Sequence, residues 1–289
     1  MTQVQKLTGV HEALSPGKLE RSLLCAGVPV DLAERTTQRV LRDLPSATST
    51  RRIFRRAFEL LRREARHLAA SYSLKQAILN LGPSGYPFER LVGEILVAEG
   101  WRVAIDQVLE GRCVSHEVDV LAERPGRRVG VECKYHSRNG RRTDVKVALY
   151  VHARGQDLAR PASPAGVDDL WLVTNTKFTS DALRYGRCAG MRLIDWSYPK
   201  GRGVKELLQR HGLHPITCLT SLDKPAKEAL LTREIVLCRD LQDDPAHLAA
   251  LGLRGADERD VLEEVEALRA AWAIDQAAEA LVNGDSGGT

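Results

Sequence analysis

Between residues 51 and 72 the chain reads RRIFRRAFELLRREARHLAASY. Ile53, Phe54, Ala57, Leu60, Leu61 and Ala65 recur there at three- and four-residue intervals. That spacing predicts one long amphipathic helix with a buried stripe. Leu19, Leu23, Leu24 and Cys25 carry the same period in SPGKLERSLLCAG, and DLAERTTQRVLRDL and SLKQAILNL add two more helices. Ahead of them QVQKLTGV reads as a short strand and turn, and the hydroxyls of PSATST stand where the long helix needs a cap. GPSGYP at 82–87 is the clearest break in the pattern, so a mainly helical first domain is expected over residues 1–83.

Past that break the rhythm changes. PFERLVGEILVAEG predicts a helix with Phe88, Leu91, Val92, Ile95 and Leu96 facing inward. WRVAIDQV, VSHEVDVLAE and RRVGVECKYH read as three strands. A helix over 142–159, the strand DLWLVTNT, the helix TSDALRYGRCAG and the strand MRLIDW come next. The order predicts an α/β domain, a sheet flanked by helices, over residues 84–200. A helical segment is expected over 201–280 and a disordered polar tail over 281–289.

Composition narrows the class. Of 289 residues, 43% are hydrophobic and 28% charged, as in a soluble globular protein. No apolar run has the length of a membrane span, and MTQVQKLTGV does not read as a signal peptide. The six cysteines are scattered without a C-x-x-C pair, which points to reduced thiols in the cytoplasm. The net charge of +4 is uneven, because residues 240–289 hold three basic and twelve acidic residues. The rest is a basic body suited to a polyanionic partner.

The stretch HEVDVLAERPGRRVGVECKY carries the chemistry. Glu132 and Lys134, two apart on a strand, share one face, while Val131 and Cys133 point the other way. Pro125-Gly126 signals a turn that would bring Asp119 beside them. Two carboxylates and the backbone carbonyl of Cys133 are hard oxygen ligands suited to Mg²⁺. A lysine next to such a metal can orient a water and offset charge growing on a phosphate. A plain ion pair on an edge strand is the competing reading, but charge set among apolar strand residues is costly without a metal or substrate. Arg124, Arg127, Arg128, Arg138, Arg141, Arg142 and Lys146 are expected around this site, where fixed cations would contact phosphates. A solvated turn fits Arg127 and Arg128 best, and Arg142 and Lys146 at the start of the next helix are the better candidates for backbone contacts.

The run GYPFERLVGEILVAEGWRV…HEVDVLAE…RVGVECKY…LWLVTNTKFTSDALRYG…MRLIDW resembles the Mrr-type restriction endonuclease-like domain of the PD-(D/E)XK nucleases, over about residues 85–198. The resemblance implies an α/β nuclease core that hydrolyses DNA with Mg²⁺ or Mn²⁺. It makes Asp119 and Glu132 the metal ligands, Lys134 the catalytic lysine and Glu89 an additional catalytic acid. Glu117 is read as a neighbour of that pocket.

VQKLTGVHEALSPGKLERSLLCAG and the helices after it look like an ATP-cone, a small nucleotide-binding regulatory domain, over about residues 3–83. By that resemblance Lys6 and Lys18 meet the triphosphate, Val4 the base, and Gly9 the turn, with ATP or dATP as regulatory ligand. The turn here is K-L-T-G where the family has K-R-[DN]-G. Seven arginines between 51 and 66 form either a phosphate-facing ridge or a solvated face. The L-G-L turn at 251–253 gives the C-terminal segment the look of a helix-hairpin-helix bundle, with packing or oligomerisation preferred as its role.

These readings together imply a nucleotide-regulated, Mg²⁺-dependent endonuclease. DNA and a nucleotide effector would be its partners, and it would be a cytoplasmic homo-oligomer with no membrane contact. Host defence follows only by analogy with restriction enzymes. The alternative is a nucleotide-sensing DNA-binding regulator built on an inactive nuclease-like platform. A third possibility is an assembly protein driven by the cone, whose partner does the chemistry.

Overall fold

The computed structural model of the chain describes residues 3–5, 11–13, 15–45, 47–159 and 166–284. Two compact units divide it. One comprises residues 1–77, 218–227 and 241–289, and the other residues 78–217 and 228–240. The C-terminal segment is thus shared between the units rather than standing as a body of its own.

In the first unit, β1 (Gln3–Gln5) pairs antiparallel with β2 (His11–Ala13) and parallel with β3 (Ala47–Ser49). Helices α1 (Pro16–Leu24), α2 (Val30–Asp43), α3 (Thr50–Glu64) and α4 (Arg66–Tyr72) accompany them. Leu19, Leu23, Val40, Ile53, Leu60, Leu61 and Leu68 form their common core. Ser49 caps α3, its hydroxyl oxygen accepting from the Arg52 amide at 3.3 Å. The predicted long helix is broken at Ala65, where the backbone turns extended (φ −159°, ψ 107°). Neither proline nor glycine causes this break. α4 instead packs on α13 (Ala256–Gly284), and Arg66 pairs with Asp260 there at 2.5 Å. That tertiary contact overrides the local helical period. Most of the tail expected to be disordered from 281 lies outside the described residues, but its first four residues continue α13 to Gly284.

The second unit follows the strand-helix order read from the sequence. After α5 (Leu74–Leu79) come α6 (Tyr86–Ala98), β4 (Arg102–Glu110), β5 (Ser115–Arg124) and β6 (Arg127–Lys134). Then come β7 (Arg142–Thr143), α7 (Val145–Asp157), β8 (Asp169–Thr174), β9 (Lys177–Phe178), α8 (Ser180–Cys188), β10 (Leu193–Ile194) and α9 (Val204–Arg210). Short helices α10 (Lys224–Thr232), α11 (Cys238–Asp243) and α12 (Ala246–Ala249) precede α13.

The main sheet has the order β10-β8-β6-β5-β4. β5 is antiparallel to both β4 and β6, whereas β6, β8 and β10 run parallel, so the sheet is mixed. Alternate residues separate its two faces. Leu170, Leu172 and Leu193 pack with Ala148 and Val151 of α7 and Ala182 of α8. Trp171, Val173 and Ile194 look toward α6, with Val92, Ile95 and Leu96. Gly126 holds φ at 73° in the β5–β6 turn, a conformation glycine reaches without steric penalty.

Phe88 is fully buried on α6 and lies 5.9 Å, ring to ring, from Tyr135 just beyond β6. It therefore ties the helix to the strand end where the acids gather. Phe88→Ala should cost about 3–5 kcal/mol, read as a lower urea midpoint. An unchanged midpoint would show that this anchor is dispensable.

Candidate functional site

The β5–β6 hairpin does what its turn predicts. Its last regular pair before the open end is Val120 with Val131, so the next residues out are Asp119 and Glu132. There the strands part. Asp119 Oδ2 accepts from the Cys133 amide at 2.6 Å, a carboxylate standing in for a backbone carbonyl. An extended residue directs its N–H and C=O to the same edge, so the Cys133 carbonyl also points into this opening. Glu132 and Lys134 share the α7 face, with Lys134 exposed. The Cys133 thiol is buried, which pushes its pKa well above the ordinary value and removes it as a ligand.

Other acids converge here. Glu89 reaches in from the first turn of α6, and burial pushes it up to about 7, with the charges of Asp119, Asp106, Glu117 and Glu132 adding to the shift. Burial foremost, then the charge of Glu132, lifts Asp119 to about 6, against the opposing effects of the Cys133 amide and Arg154. Asp106 stands across β4 from Asp119, between the pairs Ile105–Val120 and Gln107–Val118, with φ at +55°. Aspartate tolerates that left-handed conformation better than most residues.

Arg154 answers this charge. It lies on α7, 8% exposed, donating from Nη1 to Glu132 Oε2 and from Nη2 to the Glu117 carbonyl. The sequence reading missed Arg154 and Asp106. Arg154 gives no local signal, since it stands 22 residues beyond its partner. Asp106 is visible only as an acid interrupting the apolar alternation of VAIDQV.

The rim of the site is rigid. Asn175 accepts from the His136 amide at 2.9 Å and donates to the His136 carbonyl at 2.8 Å. Thr174 donates to the Lys134 carbonyl at 2.7 Å, and Thr143 donates to Thr174 at 3.1 Å. Tyr135 reaches back to the Leu79 carbonyl at 2.8 Å. At the far end of α7, Asp157 accepts from the amides of Cys113 and Val114 and pairs with His116 at 2.8 Å. These bonds, His116 foremost, hold its carboxyl well below the usual range.

Asp119, Glu132, Lys134 and Glu89 are therefore brought to one end of the sheet, together with the carbonyl edge of Cys133. Arg138, Arg141, Arg142 and Lys146 follow β6 at that same end. Arg124, Arg127 and Arg128 do not, which corrects the expectation that they surround the site. They occupy the opposite end of the hairpin, and the eight residues of β6 from Arg127 to Lys134 span about 23 Å. Of the proposed nucleotide residues, Val4 lies on β1 and Lys18 on α1, while Lys6 and Gly9 fall outside the described residues.

Among the described residues, no three His, Cys, Asp or Glu side chains close on one point as a complete metal cage. Mg²⁺ does not require one, because it keeps several waters and is commonly held by one or two carboxylates. The donor set here is all oxygen. Burial, with the neighbouring carboxylates adding to it, raises the affinity of Asp119 and Glu89 for protons.

Four comparisons bear on the chain. Residues 82–197 match the restriction endonuclease family and residues 214–269 the family described as AF1548-like, C-terminal. A protein of Archaeoglobus fulgidus described only as uncharacterized is 35% identical over 176 residues, 61% of this chain and 98% of that protein. The crystal structure of the protein of unknown function AF1548 matches with a TM-score of 0.54 at 35% identity, covering 63% of this chain and 97% of that one. Among the described residues, no helix is long and apolar enough to cross a membrane.

The acid cluster predicts a pH response. In metal-free protein the folded state keeps protons on Asp119 to about pH 6 and on Glu89 to about pH 7. The unfolded chain releases them near pH 4. Folded protein thus binds more protons in that window, and this contribution to stability falls as pH rises through it. In thermal melts with EDTA at pH 5 and pH 8, Glu89→Gln should show a smaller fall with pH than wild type. An identical pH response in the two proteins would refute the shift.

Proposed function

The chain belongs to the AF1548-like family and carries a restriction endonuclease-like domain over residues 82–197, and from that premise we propose a Mg²⁺-dependent nuclease that hydrolyses DNA. The observation that carries this reading is the juxtaposition of Asp119 and Glu132 at the parting of β5 and β6, with Lys134 two residues on. Asp119, Glu132 and the Cys133 carbonyl would hold the metal. Bound Mg²⁺ supplies Lewis-acid polarisation of the phosphate.

The protein's own groups do the rest. Lys134 lies exposed beside the acids, where its ammonium orients the attacking water and offsets charge growing on the phosphate oxygens. Water adds to phosphorus and the bond to one sugar oxygen breaks, leaving a phosphate monoester and a hydroxyl. Glu89 holds a proton near neutrality and is placed to exchange it with the attacking water or the leaving oxygen. Arg138, Arg142 and Lys146 provide cations for backbone phosphates without reading bases.

Regulation by ATP or dATP through the N-terminal unit is a further part of the proposal. Support comes from its small, mainly helical build and from Lys18, exposed on α1. Gating would require the nucleotide to bind two arrangements of the protein with different affinity. A homo-oligomer in host defence belongs to the same reading and rests on analogy with restriction enzymes. The rival regulator reading has one observation in its favour: Arg154 already engages Glu132.

A supercoiled-plasmid assay separates them. Wild type with Mg²⁺ should nick the plasmid, EDTA should abolish nicking, and Asp119→Ala or Lys134→Ala should slow it by about 100-fold or more. DNA binding by these variants, measured in EDTA, should persist. Unaltered cleavage by Lys134→Ala would sink the assignment. Nucleotide-dependent DNA binding without nicking by wild type would favour the regulator. Rates indifferent to ATP and dATP would remove the nucleotide control alone.

A further inference from the structure

On the α6 face of the main sheet lies a cavity of about 240 Å³ that the nuclease reading does not use. Its floor is aliphatic, built by Val92, Ile95, Leu96, Val131, Val173 and Leu207. Its walls are two indoles, Trp101 and Trp171, meeting edge to face with centroids 5.7 Å apart. Each indole carries an arginine. The Arg124 guanidinium stands 4.3 Å over Trp101, and that of Arg192 stands 4.9 Å over Trp171.

Four arginines line this space, and two are already neutralised. Arg127 pairs with Asp169 at 2.6 Å and Arg202 with Glu99 at 3.2 Å. For Arg124 and Arg192 no carboxylate stands within ion-pair distance among the described residues; each lies over an indole face, and the more distant Asp169 and Glu99 offset part of the charge of Arg192. Such stacking leaves the N–H edges of a guanidinium available to an oxyanion. Burial foremost, with the nearby charges of Arg202 and Arg127, lowers the proton affinity of Arg192, while Asp169 and Glu99 oppose the fall.

We propose that this cavity binds a mononucleotide-sized anion, with its base against the aliphatic floor and its phosphate on Arg124 and Arg192. A bare phosphate would leave the apolar lining uncovered, and a neutral apolar molecule would leave Arg124 and Arg192 without an anion. A nucleotide brings both a flat body and a phosphate. The volume, below the roughly 300–1,000 Å³ usual for small-molecule sites, limits the occupant to a single nucleotide unit. Two sources share that chemistry, a free nucleoside monophosphate and the 5′-phosphorylated end of a DNA strand. The inference does not depend on the nuclease reading, since the cavity looks toward α6, away from the face of Glu132 and Lys134.

Isothermal titration of the full chain with adenosine 5′-monophosphate tests it, with adenosine and inorganic phosphate as partial ligands. Each partial ligand should bind at least about tenfold more weakly than the nucleotide, because each meets only half of the site. Arg192→Gln and Arg124→Gln, made singly and checked by thermal melting, should each weaken the nucleotide about tenfold. Arg35→Ala, exposed in the other unit, should leave the affinity unchanged. A 5′-phosphorylated oligonucleotide that displaces the nucleotide, where its 5′-hydroxyl counterpart does not, would identify a strand end as the occupant. Failure of both oligonucleotides would identify the free nucleotide. The proposal is overturned if the nucleotide does not bind or if both arginine variants bind it like wild type.

Discussion

Five carboxylates converge at one end of the main sheet, and the guanidinium of Arg154 makes that convergence tolerable. Carboxylates withdrawn from water repel one another strongly, and without compensation they protonate or force the strands apart. Arg154 spans the gap by binding Glu132 through one nitrogen and the Glu117 carbonyl through the other. It thereby ties α7 to both β5 and β6 where those strands separate. The compensation is partial. Asp119 and Glu89 still hold protons more tightly than ordinary carboxyls, so the site is poised between protonation and cation binding.

How much of this could be read beforehand depended on the range of the interaction. Pro125-Gly126 and the two-residue period of the strands placed Asp119 opposite Glu132, because turn and register are local properties. The helix–strand order of the same unit followed from the change of period at residue 87. Arg154 was not legible, since its role exists only once α7 packs on the sheet. Asp106 was hidden for a similar reason, because its left-handed backbone matters only opposite Asp119. The break at Ala65 contradicts a clean helical period and comes from packing of α4 on α13. Arg127 and Arg128 were drawn toward the acids by closeness in sequence, yet a hairpin carries its turn residues away from its open end.

The main sheet has two faces with different occupations. Lys134 and Glu132 lie toward α7, among carboxylates and cations. Val131, Trp171 and Val173 lie toward α6, beneath aliphatic side chains and a rim of stacked arginines. One strand, β6, supplies residues to both faces by simple alternation. Acidic chemistry on one face and a cationic mouth on the other are thus kept apart by a single layer of backbone.

The clamp of Asn175 on His136 has a bearing on how such a protein can change. With both its amide nitrogen and its oxygen engaged, the side chain acts as one more rung between β6 and β8, past Lys134 and Thr174 where regular pairing stops. The path of the chain out of the strand is then set by residue 175, whatever the loop after His136 contains. The stretch 137–141, charged and exposed, can lengthen, shorten or alter its composition while Lys134 stays where it is. Variation in what the protein touches is in this way uncoupled from the position of the group beside the acids.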